Sequence, residues 1–136
     1  MNDVLKDKNG SILNPKIPRY EKKMPIVVYE NTNGSNSNIN LIQSIENAEF
    51  IDVEFKNNNN TFNNVRVYDP VGKQVILFMA PVYNAGQTGW IQSSQKTITA
   101  TQILNGSEQA GQIELATNNM FQDANYIVIT KVIAFY

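Results

Sequence analysis

Cysteine and histidine are both absent from this chain of 136 residues. The chain therefore forms no disulfide and offers no thiolate or imidazole ligand to zinc. Cys-His and Ser-His-Asp nucleophile systems are excluded as well, because each needs an imidazole base. No Gly-rich phosphate-binding loop is present either. We therefore predict neither a cofactor nor a metal site.

Long apolar runs are also missing. A membrane helix needs about 20 consecutive apolar residues, and no segment approaches that length. The first residues are too polar for a secretory signal. We expect no membrane insertion and a protein made in the cytoplasm of its cell without processing at this end.

The chain also lacks a large net charge, since acidic and basic residues nearly balance at −1. The distribution is uneven, however. Residues 1–23 hold six basic and three acidic side chains, a net charge of +3, and the remaining residues hold five and nine, a net charge of −4. Because phosphate binding depends on clustered Lys and Arg, this mildly acidic body argues against a nucleic-acid partner.

Asparagine is abundant, with twenty residues that gather between short β-branched and aromatic segments. Asn-Gly pairs at Asn9, Asn33 and Asn105 predict turns, and the run of four at Asn57 to Asn60 predicts a solvated loop tip. The segments between them recur at the spacing typical of a sandwich or barrel. They are residues 25–30, 39–42, 49–55, 65–68, 74–79, 97–104, 112–116 and 126–135.

The segments predict an all-β fold, an antiparallel, jelly-roll-like β-sandwich over residues 24–136. Ile51, Val53 and Phe55 alternate with Asp52 and Glu54, as in a strand with one buried face. The residues predicted to point inward are Ile51, Val53, Phe55, Val65, Val67, Ile127, Ile129 and Ile133.

The last segment has apolar residues on both faces, with Ile127, Ile129 and Ile133 on one and Val128, Val132 and Ala134 on the other. It is predicted to be either a central strand or one completed by a neighbouring subunit. Since an apolar chain end at Phe135 and Tyr136 is costly to leave in water, we predict an oligomer interface at Val132, Phe135 and Tyr136.

Two groups of side chains suggest ligand sites. Asp52 and Glu54 on one face are compatible with a hydrolase pair, but we favour a solvated face because an alternating strand always exposes such pairs of carboxylates. Tyr83 and Trp90 lie in a predicted Gly-bearing loop of the kind that stacks on sugar rings, which makes them a possible glycan contact. The alternative, which we favour, is that Trp90 closes the end of the sandwich.

Residues 1–23 are predicted to form an anchoring arm. Pro15 and Pro18 keep this segment extended, with apolar anchors and basic groups along it. Such a segment buries little against itself and needs another surface. The predicted docking residues are Val4, Leu5, Ile12, Leu13, Lys16, Ile17, Arg19 and Tyr20.

Several stretches together resemble small structural proteins of phages that infect low-GC Gram-positive bacteria, such as fibre, baseplate and receptor-binding components. The stretches are Tyr29-Glu30-Asn31, Asn33-Gly34-Ser35, Ile39 to Ile42, Ser44 to Ala48, Phe50 to Phe55 and the ending Lys131 to Tyr136, together with the leader. Ala134 stands where Gly is expected in that ending.

The resemblance implies a non-enzymatic virion protein, namely a head fibre, decoration, tail fibre or baseplate subunit on or near the capsid. It implies an N-terminal arm for attachment, an outward β-sandwich, other virion proteins as partners and assembly as a homotrimer, with host attachment as a further role. Two alternatives remain: a carbohydrate-binding module that contacts host cell-wall glycans, and a cell-wall hydrolase, which the missing His and Cys disfavour.

Overall fold

The computed structural model describes residues 8–10, 24–80, 89–114, 119–122 and 126–136. Within these residues the chain forms strands and turns and no helix. Nine strands follow one another in the described ranges: β1 Pro25–Ser35, β2 Ile39–Asn40, β3 Phe50–Lys56, β4 Phe62–Tyr68, β5 Gln74–Met79, β6 Trp90–Ile98, β7 Gln102–Glu114, β8 Asn119–Gln122 and β9 Val128–Phe135.

The strands form two antiparallel sheets, which confirms the predicted all-β class and is consistent with a β-sandwich. The first sheet has the order β1-β9-β3-β4, and the second has the order β2-β7-β6-β5 with β8 paired to β7. The last strand of the chain is thus paired on both edges, by β1 and by β3. Of the predicted arm, the described residues 8–10 form a turn with Gly10 at φ 78°, as the Asn9-Gly10 pair predicts.

The core lies between the sheets and follows the alternation of β3. Ile51, Val53 and Phe55 are buried, and the two residues between them face outward. The second sheet contributes Leu77, Met79, Ile98 and Ile103 to the same core. Of the other residues predicted to point inward, Val67, Ile127 and Ile129 are buried, and Val65 packs half-buried against the core.

Ile133 is the exception, because it lies half-buried on the outer face of the first sheet. On β3, Glu54 pairs with Lys131 and the next residue, Phe55, pairs with Ile129, so that Thr130 is left over as a β-bulge. One extra residue reverses the alternation for everything that follows it. The inward residues after the bulge are therefore Val132 and Ala134, and the prediction for Ile133 is wrong.

The strand boundaries differ from the predictions at one place in particular. Residues 97–104 were expected to be a single strand, but β6 ends at Ile98 and β7 begins at Gln102. Thr99 makes this turn, since its hydroxyl accepts hydrogen bonds from the backbone N–H groups of Thr101 and Gln102. Asn33-Gly34 and Asn105-Gly106 were predicted as turns, and both pairs lie within strands.

Gly34 lies near the end of β1 in a conformation that favours glycine. Its φ is 78°, and a Cβ atom built there would lie 2.4 Å from Cγ2 of Val128. Gly72 has a similar φ of 84°, but a Cβ atom there would meet nothing within 4 Å. A substitution at Gly72 therefore introduces backbone strain alone, whereas a substitution at Gly34 adds a steric overlap to that strain.

We expect Gly34→Ala to lower the free energy of unfolding by about 2 to 4 kcal/mol, because strain at positive φ adds to overpacking against Val128. The matched control, Gly72→Ala, should cost only about 1 kcal/mol, since it carries the strain alone. Urea denaturation of both variants measures the difference. Equal losses in the two variants would show that Val128 does not crowd Gly34.

Candidate functional site

The outer face of the first sheet carries a row of aromatic side chains. Strand register places Phe50 of β3 between Tyr68 of β4 and Phe135 of β9, and Phe135 pairs in turn with Pro25. The Phe50 and Phe135 rings are stacked with centroids 4.4 Å apart, and the Phe50 and Tyr68 rings are tilted with centroids 5.3 Å apart. Contacts of this kind stabilise aromatic pairs beyond the area that they bury.

Arg66 lies over this row and is held by a carboxylate. Its Nε and Nη2 atoms each lie 2.8 Å from an oxygen of Asp52, which is the bidentate geometry that a guanidinium favours. The Arg66 guanidinium carbon is 4.2 Å from the centroid of the Phe50 ring. Hydrogen bonding to Asp52 and then to Tyr68 raises the pKa of Arg66 above its usual value, so the group stays charged.

Two aliphatic side chains lie on the same face, in the row next to the aromatic one. Val27 of β1 pairs with Ile133 of β9, which in turn pairs with Asp52, so the two lie in the row next to Phe135 and Phe50. We call Val27, Phe50, Arg66, Tyr68, Ile133 and Phe135 together the outer patch. Tyr68 is 54% exposed and Val27 is 40% exposed, so the outer patch presents apolar surface to solvent.

The next row along the sheet is charged. The Lys131 ammonium lies 2.8 Å from a carboxylate oxygen of Glu30, and the hydroxyl of Thr130 donates to Oε1 of Glu54 at 2.8 Å. The hydrogen bond to Glu30 is the largest cause of a raised pKa at Lys131. Asp52 and Glu54 were predicted to be solvated carboxylates, but each is engaged by a neighbour on this sheet.

A second polar group lies inside the sandwich. Gln92, Ser94 and Lys96 of β6 all point inward and are buried. The Lys96 ammonium donates to Oδ1 of Asn105 at 2.5 Å, and burial lowers the pKa of Lys96 to about 8. The hydrophobic pattern did not reveal this strip, since Gln, Ser and Lys at alternate positions are typical of an exposed strand face.

Asn105 connects Lys96 to the segment between β1 and β2. Its side-chain NH2 donates to the carbonyl of Asn36 at 3.0 Å, and its backbone N–H donates to Oδ1 of Asn38 at 2.8 Å. The buried amine is thus linked through Asn105 to two further asparagines. Because a buried charge is destabilising unless its partners satisfy it, this network is needed to keep Lys96 in the core.

Asn57 begins the run predicted as a solvated loop tip, yet its side chain is buried. Its Oδ1 accepts from the backbone N–H groups of Asn59 and Thr61, both at 3.0 Å, and its side-chain NH2 donates to Gln92 at 3.3 Å. Asn60 takes a positive φ of 58°, which asparagine tolerates. The prediction is correct for the exposed residues 58–60 and wrong for Asn57.

The three residues predicted to form an oligomer interface, Val132, Phe135 and Tyr136, differ in burial and in the face that they occupy. Val132 is fully buried in the core of the single chain, whereas Phe135 belongs to the outer patch. Tyr136 is half-buried, and its hydroxyl donates to the carbonyl of Ser44 at 2.7 Å and accepts from the side-chain amide of Gln43 at 3.0 Å. Of the three, Phe135 is the one on the open face of the sheet.

The remaining predicted site residues are not brought together by the structure. Trp90 begins β6 rather than lying in a loop, and it is half-buried opposite Glu114. Its proposed companion Tyr83 lies outside the described residues. So do all the docking residues predicted in the arm, namely Val4, Leu5, Ile12, Leu13, Lys16, Ile17, Arg19 and Tyr20. A glycan contact at Tyr83 and Trp90 stays a prediction.

Comparison with known proteins gives no relative. No family model, no curated protein and no solved structure matches this chain. Within the described ranges, no group of three or more acidic side chains gathers closely enough to hold a metal ion. No helix in that part of the chain is long and apolar enough to cross a membrane.

The buried lysine predicts a pH-dependent stability. Because the pKa of Lys96 falls from 10.5 to about 8 on folding, charging the amine favours the unfolded chain. This destabilisation is fully present below pH 8 and disappears as the pH rises toward 10.5. We expect Lys96→Met to raise the free energy of unfolding at pH 7 by about 1 to 3 kcal/mol, with the gain shrinking toward pH 10.

Chemical denaturation at pH 7 and near pH 9 tests this expectation. Lys73→Met, which removes an exposed lysine whose ammonium donates to the carbonyl of Tyr68, is the control and should lower stability by less than about 1 kcal/mol, by a similar amount at pH 7 and near pH 9. If Lys96→Met is less stable than the natural chain at both pH values, the hydrogen bond to Asn105 outweighs the cost of burying the amine.

Proposed function

We propose that this chain is a non-enzymatic structural protein of a phage particle, attached through residues 1–23 and carrying an outward β-sandwich. The observation that supports this most is where the resembling segments lie. Residues 29–35 belong to β1, residues 50–55 to β3 and residues 131–135 to β9, and these are three neighbouring strands of one sheet. The resemblance therefore concerns a contiguous structural unit, rather than scattered composition.

The position of the arm supports the same proposal. Residues 1–23 precede Met24 and Pro25, and Pro25 pairs with Phe135 at the edge of the outer patch. Met24 is 74% exposed, so the chain joins the sandwich at an open surface. The described residues that directly follow the proposed arm thus lie at an exposed surface, which is compatible with an arm that reaches a partner.

The chemistry of the site favours a binding or structural role over hydrolysis. Asp52 is fixed by two hydrogen bonds from Arg66, and Glu54 accepts from Thr130, so both carboxylates are used to hold the sheet. The proposal accordingly includes no cofactor and no catalytic residue. The protein acts in the virion after synthesis in the host cytoplasm, as a homo-oligomer for which the resemblance favours a trimer, and its partners are other virion proteins.

Deletion of residues 1–22 tests the attachment. Because the proposed arm is expected to carry little of the folding free energy, the truncated chain should keep its thermal transition within a few degrees. The same deletion should abolish incorporation into particles, measured by the amount of the protein in purified virions. A truncated chain that enters particles at normal occupancy would show that attachment runs through the sandwich.

Two sets of substitutions distinguish the ionic from the apolar contribution to that attachment. Replacement of Lys16, Arg19 and Lys22 by Glu should weaken incorporation in a salt-dependent way if the docking surface is acidic. Replacement of Ile12 and Ile17 by Asp should weaken incorporation at any salt concentration, because apolar anchors are not screened.

A further inference from the structure

The Asn-Gly pairs at Asn33 and Asn105 lie in different sheets, and their surroundings differ. We propose that Asn33 is a site of spontaneous deamidation in the folded protein, at which water converts the side-chain amide to a carboxylate. The contacts of Asn105 protect that residue from the same reaction. The modification needs no enzyme and no cofactor, and it is independent of the proposed function.

The reaction uses only groups of the chain and water. The backbone nitrogen of Gly34 attacks Cγ of Asn33, the new N–Cγ bond closes a succinimide ring, and Nδ2 takes up the proton of the Gly34 N–H and leaves as ammonia. Water then opens the ring at either carbonyl and leaves an aspartate or an isoaspartate at position 33. Because glycine has no Cβ atom, its nitrogen approaches the amide carbon with little hindrance.

The backbone around Asn33 lies outside the regular pairing of its sheet. The register between β1 and β9 is interrupted between Glu30 and Ser35, so residues 31–34 are not part of the ladder. Asn33 is exposed, and Gly34 has a φ of 78°. Exposed backbone with few ladder hydrogen bonds opens at little cost in free energy. The rotation that brings the Gly34 nitrogen to the Asn33 amide is therefore accessible without unfolding the sheet.

The reacting amide of Asn33 makes no hydrogen bond within the described residues. Asn33 donates from its backbone N–H to Oδ1 of Asn31 at 3.1 Å, and Asn31 donates from its side-chain NH2 to the carbonyl of Gly34 at 3.4 Å. Neither bond uses Oδ1 or Nδ2 of Asn33. The attacked carbon and the leaving NH2 group are thus open to solvent.

Asn105 also precedes a glycine, but its side-chain amide is held at both ends. Its Oδ1 accepts from the Lys96 ammonium at 2.5 Å, and its NH2 donates to the carbonyl of Asn36 at 3.0 Å. Both hydrogen bonds have to break before this amide can turn toward the nitrogen of Gly106. Since an intramolecular hydrogen bond contributes a modest but definite stabilisation, two of them should slow the reaction by about tenfold or more.

Peptide mapping of the full-length protein by mass spectrometry, after prolonged incubation, tests the inference. Trypsin places Asn33 in the peptide 24–56 and Asn105 in the peptide 97–131, and fragmentation identifies the converted position. In native buffer Asn33 should convert at least about tenfold faster than Asn105. In concentrated urea the two rates should agree within about 3-fold, because both residues are then Asn-Gly in an unfolded chain.

Two variants separate the site from its surroundings. Asn33→Gln should stop conversion at position 33, since the longer side chain would have to close a larger and less favourable ring. Lys96→Met removes the donor to Oδ1 of Asn105 and should raise the conversion of Asn105 by about 3-fold or more, with Asn33 unchanged. Circular dichroism verifies that both variants remain folded.

Three results overturn the inference. The first is an Asn105 that converts as fast as Asn33 in native buffer. The second is a difference between the two sites that persists in urea, because it would then come from the local sequence and not from the fold. The third is an Asn33 that converts in urea and stays intact in the folded protein.

Discussion

The β-bulge at Thr130 determines which residues of β9 face the core, and the arrangement of the first sheet depends on it. The extra residue turns Val132 and Ala134 into the core, where both are fully buried, and turns Ile133 and Phe135 outward. The Thr130 hydroxyl is hydrogen-bonded to Glu54 on the adjacent strand, which fixes the place of the bulge. A strand of unbroken alternation would bury Ile133 and Phe135 and expose Val132.

The outer patch follows from that reversal. With Phe135 outward, its ring stacks on Phe50, and the pair provides the surface over which Arg66 lies. Asp52, between Ile133 and Arg66 in the register, then holds the guanidinium in place. The first sheet thus uses one face for the core and the other for a rigid surface beside the point where residues 1–23 join.

Sequence patterns predicted the two-sheet antiparallel fold and most of the core, because period-2 alternation in β3 is strong and local. They did not predict the features that depend on contacts between neighbouring strands. The bulge at Thr130 leaves no mark in the alternation of apolar residues, and the inward Gln92, Ser94 and Lys96 have the composition of an exposed face. Asp52 was recognised as outward, but its pairing with Arg66 depends on strand register, which no local pattern contains. The aromatic row likewise joins residues that are far apart in the chain.

The central claim is that the bulge sends Val132 inward and Ile133 outward, and two single variants test it most directly. Thermal unfolding and circular dichroism of Val132→Asp and Ile133→Asp compare burial at adjacent positions, because an aspartate placed in the core is strongly destabilising. The structure predicts that Val132→Asp fails to fold, whereas Ile133→Asp keeps the β spectrum and a cooperative transition. A folded Val132→Asp together with an unfolded Ile133→Asp would contradict the bulge and the outer patch that depends on it.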